Sequence, residues 1–201
     1  MTTPLHIALL GDSIFDNARY VSGGLAVTDH LRRALPRDSV TLLATDGDIT
    51  RDVFGQLQRL PQDTSHLVLS VGGNDALGWL PTLDRPTRFL LEALDHLHTI
   101  QAEFQGHYDR LLTQLKSAEK PTLVCTVYDA VPGLTPPLKT ALSLFNDVIT
   151  RGALRHRFDI LDLRELLNEA GDYSSASPIE PSGQGGAKIS AAIVRWVKRT
   201  A

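Results

Sequence analysis

Five short runs of apolar and β-branched residues, separated by stretches with helical spacing, constrain most of what this 201-residue chain can become. They are Leu5-His6-Ile7-Ala8-Leu9-Leu10, Val40-Thr41-Leu42-Leu43-Ala44, His66-Leu67-Val68-Leu69-Ser70-Val71, Thr122-Leu123-Val124-Cys125-Thr126-Val127 and Phe158-Asp159-Ile160-Leu161. Between them, helical spacing spans 23–35, stopped by Pro36, and 49–60, stopped by Pro61. It returns over 86–117, as one long helix or two shorter ones bent at Gly106, and again over 138–155 and 164–169. A loop over 171–186 then leads into an amphipathic helix at 187–198. Strands alternating with helices predict an α/β fold: a three-layer, flavodoxin-like, doubly wound parallel five-stranded sheet. Right-handed crossovers make 2-1-3-4-5 the simplest strand order. No repeat or compositional break divides the chain, so residues 1–201 read as one domain.

Composition removes several classes of function. A net charge of −3 without a basic block argues against nucleic-acid binding. Cys125 is the only cysteine, so no intrachain disulfide forms, and its place in a buried run marks an inert thiol. No run approaches the roughly 18–20 apolar residues of a membrane span. The stretch at 5–10 is too short, and lacks the preceding basic residues, for a signal peptide. A cytoplasmic protein without membrane partners is expected, with its oligomeric state left open. No cofactor is expected either. His96 and His98, two apart, fall on different helix faces, which argues against a metal pair. Ser182-Gly183-Gln184-Gly185-Gly186-Ala187-Lys188 lacks phosphate-loop spacing and reads as a tight helix entry.

The chemistry gathers at strand ends. In an open α/β sheet, ligands bind outside the carboxyl ends of the strands. There the chain places Gly11-Asp12-Ser13-Ile14 after the first run, Asp46-Gly47-Asp48 after the second, and Gly72-Gly73-Asn74-Asp75 after the third. Alone, each is an ordinary turn or helix cap. In this order they resemble the SGNH, or GDSL-like, hydrolases, a likeness covering nearly the whole chain. It implies a small-ester hydrolase in which Ser13 attacks the carbonyl to give an acyl-enzyme. The N–H groups of Ser13 and Gly47 and the amide of Asn74 would then hold the oxyanion.

The last block departs from the pattern. Where the family carries Asp-x-x-His-Pro, this chain has Ser177-Pro178-Ile179-Glu180-Pro181, so glutamate replaces the base and serine its orienting partner. An aspartate supports an imidazole but would repel a glutamate, whereas a serine can donate a hydrogen bond to one. The paired change fits Glu180 as general base. No other histidine substitutes: His6, His66 and His156 lie at the opposite sheet edge, and His30, His96, His98 and His107 within helices. Asp12, Tyr128 and Asp129 lie at the active edge as substrate-binding or supporting groups, as do Asp162 and Arg164. Trp79-Leu80-Pro81 is placed to wall a pocket. The competing reading is an impaired hydrolase that binds an acyl, carboxylate or sugar ligand; a nucleotide or flavin binder lacks a phosphate loop.

Overall fold

The computed structural model describes residues 4–201. Five parallel strands form one sheet in the order β2-β1-β3-β4-β5: β1 (His6–Gly11), β2 (Ser39–Leu42), β3 (His66–Ser70), β4 (Thr122–Cys125) and β5 (Asp159–Leu161). The expected topology is therefore the one found. β1 is central, pairing His6 with Ser39 on one side and Ile7 with His66 on the other.

Alternation along β1 explains why its sequence shows no polar face. Ile7 and Leu9 project into a core shared with α1 (Val27–Ala34) and α8 (Gly183–Thr200), meeting Val27, Leu31, Ile189 and Ile193. Ala8 and Leu10 project to the other side, among Tyr108, Leu111 and Ile149 of α5 (Leu90–Ser117) and α6 (Pro136–His156). A strand covered on both faces must be apolar at every position.

Shorter helices fill the connections: α2 (Val53–Leu57), α3 (Gly73–Gly78), α4 (Leu80–Leu83) and α7 (Leu163–Leu166). Three elements differ from the sequence reading. α5 runs unbroken through Gly106, the one-helix alternative, but starts at Leu90 rather than residue 86. That glycine sits on the exposed side, where its roughly 1 kcal/mol helix penalty is outweighed by the buried stripe of Ile100, Phe104, Tyr108, Leu111 and Leu115. α1 starts at Val27 rather than residue 23, because Asn17, ten residues upstream, caps its first turn by accepting the Val27 N–H at 3.1 Å. α8 starts at Gly183 rather than 187, with the Ser182 side chain accepting the N–H groups of Gln184 and Gly185. Among the described residues, no helix is long and apolar enough to cross a membrane.

Candidate active site

β1 brings Ser13 to the carboxyl edge of the sheet through a turn that demands glycine. Gly11 has φ +129°, and a Cβ there would lie 1.7 Å from the Ser70 carbonyl oxygen of β3. Asp12 donates its N–H to that carbonyl at 3.2 Å, and its Oδ1 accepts the Ile14 N–H at 3.1 Å. The chain thus reverses around the Asp12 side chain, leaving Ser13 at the end of a cleft that it shares with Asp12, Asn74, Tyr128 and Glu180.

The loop after β2 is held from three sides. Gln56 of α2, fully buried, accepts the Gly11 N–H at 2.8 Å, and its Nε2 donates to the Gly11 carbonyl at 2.7 Å and to Asp48 Oδ2 at 2.8 Å. Asn74 donates one N–H of its amide to the Asp48 carbonyl at 2.9 Å, leaving the other unused. Asp75 Oδ2 accepts both the N–H and the hydroxyl of Thr50, at 2.9 and 3.0 Å. Gly47 lies on the exposed crest of this loop, next to the residue Asn74 grips and outside the cleft wall. Its φ of +87° is what asks for glycine, since a Cβ would meet nothing within 4 Å. Among the described residues, the N–H groups of Ser13 and Gly47 make no internal hydrogen bond.

Glu180 is fixed through its main chain. Its carbonyl accepts the Ser174 N–H at 2.8 Å, and its N–H donates to the Ser177 carbonyl at 3.0 Å. On either side, the Tyr128 hydroxyl donates to the Ile179 carbonyl and Asn17 Nδ2 donates to the Pro181 carbonyl at 3.2 Å. The side chain is buried, and Oε2 has no hydrogen-bond partner. Burial raises the carboxyl pKa, while the neighbouring Ser13 hydroxyl and the Arg19 cation pull it down. Ser177 meets Glu180 only by its carbonyl; no described bond joins its hydroxyl to the carboxyl.

Asp12 behaves differently. Burial, reinforced by repulsion from Glu180 and Asp75, pushes its carboxyl from 3.8 up to about 8 against the opposing Ile14 N–H. Burial thus favours the protonated form of Asp12 beside Glu180. Of the other expected site residues, Tyr128 supports the Glu180 turn, whereas Asp129 pairs with Lys139 at 3.2 Å. Asp162 and Arg164 pair with each other, and Asp162 caps α7. Asn17, Gln56 and Asp75 are positioning groups that the sequence reading did not single out. Asn17 and Gln56 act across 164 and 45 residues, a distance over which no local pattern is visible. Only Asp75, next to Asn74 in the third motif, carried a nearby signal.

The cleft encloses about 320 Å³, and no histidine lines it. Trp79 and Leu80 line it, as their place after the third motif suggested, together with Leu83; Pro81 does not. No group of three His, Cys, Asp or Glu among the described residues could hold a metal ion.

Residues 9–188 match the model of the GDSL-like lipase/acylhydrolase family. The chain belongs to this family. Among solved structures it resembles the phospholipase A1 of Streptomyces albidoflavus, with a TM-score of 0.71 and 17% identity over 99% of this chain and 100% of that one. An acetylxylan esterase of Geobacillus stearothermophilus gives 0.65 and 16% over 97% and 95%. An α/β hydrolase enzyme from the metagenome of Lake Arreo, Spain, gives 0.69 and 17% over the same shares, 97% and 95%. At these identities the likeness carries the fold. Curated protein sequences return no match.

Proposed function

We propose that the protein hydrolyses carboxylic esters through an acyl-enzyme on Ser13, with the Glu180 carboxylate as general base. The supporting observation is that the cleft brings Ser13 together with the buried Glu180, whose Oε2 has no hydrogen-bond partner. A glutamate of ordinary pKa is a poor base for a serine hydroxyl; burial moves it in the useful direction.

In the forward step the Ser13 Oγ attacks the ester carbonyl carbon while its proton passes to Glu180. The negative charge moves from the carboxylate to the carbonyl oxygen, where the free N–H groups of Ser13 and Gly47 and the unused amide N–H of Asn74 receive it. Glu180 returns the proton to the departing alcohol. It then takes one from the water that attacks the acyl-enzyme and passes it to Ser13 Oγ as the acyl C–O bond breaks, so the acid leaves and both residues are restored. Burial favours the protonated form of Asp12, and a proton there keeps a neighbouring carboxylate charge from opposing the oxyanion.

A fluorophosphonate probe tests the nucleophile. Wild type is expected to be labelled at Ser13 and to hydrolyse p-nitrophenyl acetate, and Ser13→Ala to lose labelling and about 10⁴-fold or more of its rate. An unlabelled wild type whose ester hydrolysis equals that of Ser13→Ala would instead identify a binding module.

A further inference from the structure

The cleft changes character along its length. Its ionisable side chains and hydroxyl groups come from the end of β3, the strand-end loops and the turn before α8, while the walls from α4, α5 and α6 carry no polar side chain. The latter include Leu83, Leu97, Ile100, Leu138, Leu142 and Phe145. The apolar surface continues beyond the cleft: on α5, Leu97 lies three residues after Leu94, itself four after Leu90, so the three share one helix face. Leu94 and Leu90 are 51% and 77% exposed. An apolar track therefore runs from the reacting end out to the surface.

The geometry points to esters bearing an unbranched alkyl chain of about eight carbons or more as the substrates, the chain lying along this track. This rests on the hydrolase reading. A sugar against the α4, α5 and α6 walls would lose hydration at its hydroxyls without gaining side-chain partners from them, which is unfavourable. An alkyl chain leaves no polar group unpaired there, and each buried methylene adds up to about fourfold to kcat/KM.

The test measures kcat/KM for p-nitrophenyl acetate, butyrate, octanoate and dodecanoate, and for ethyl acetate against octyl acetate. A rise of at least about tenfold from acetate to octanoate places the chain on the acyl side; a rise from ethyl to octyl acetate places it on the alcohol side. Either supports the inference. Ala141→Phe, which adds bulk to the α6 wall, should remove at least about tenfold of the long-chain rate while leaving ethyl and p-nitrophenyl acetate within about twofold. A preference for acetate over octanoate together with ethyl over octyl acetate, or an equal loss on all substrates in Ala141→Phe, overturns the assignment and leaves the hydrolase reading standing. Binding is read separately in Ser13→Ala, whose melting temperature should rise with methyl octanoate and not with methyl acetate. That rise without ester turnover by wild type would keep the chain site and discard the hydrolase. No difference between the two methyl esters contradicts the chain site.

Discussion

The two ends of the cleft are built on opposite principles. Around Ser13, the loops are held by contacts that cross the fold: Gln56 ties β1 to the Asp48 loop, Asn74 grips the same loop, and Asn17 joins the start of α1 to the Glu180 turn. In the wall formed by α4 and the start of α5, the hydrogen bonds are local, such as Thr82 to the Trp79 carbonyl and the Arg88 N–H to Glu92, and Leu80, Leu83 and Leu90 are exposed. At the first end, position is over-determined and the chemistry depends on it. At the second, only size and apolarity are specified, which suits a surface that selects among substrates without reacting with them.

Asn74→Ala should break the ordered end most severely. Removing one oxyanion donor is expected to lower kcat by about 10²–10³-fold with little change in KM, measured on p-nitrophenyl acetate. An equal rise in KM with unchanged kcat would mean that Asn74 only binds substrate. Gln56→Ala leaves the buried Gly11 N–H without its partner, so chemical denaturation should show a loss of about 1–3 kcal/mol, with reduced activity as the Asp48 loop loosens. At the wall the effect should be slight. Leu83→Ser, at a residue 37% exposed, is expected to change stability by less than about 0.5 kcal/mol and to leave acetate hydrolysis intact. A large loss of stability there would show that the wall is as firmly specified as the floor.

The contrast also explains what was legible in the sequence. The strands followed from apolar runs that cover both sheet faces and their order from right-handed crossovers, and Ser13, Gly47 and Asn74 stood at strand ends, where short motifs suffice. Glu180 was visible because it replaces a residue at a fixed place before the last helix. Asn17 and Gln56 were not, because their partners are distant in sequence and nothing around them has a period. α3 and α4 are too short for helical spacing to emerge. Gly106 left open whether 86–117 holds one helix or two, because local propensity cannot weigh a glycine against the burial of the opposite stripe, which decides the outcome.

The central claim is that a carboxylate activates Ser13, and the pH dependence of kcat/KM in wild type and Glu180→Gln tests it most directly. A base works only when deprotonated, so wild-type activity should fall on the acid side as Glu180 takes up its proton. Burial places that limb above the ordinary glutamate range. Glu180→Gln should lose the limb and about 10²–10⁴-fold of the rate, while keeping wild-type stability at neutral pH or exceeding it, since a buried charge is removed. An unchanged acid limb at full rate in Glu180→Gln would contradict the account.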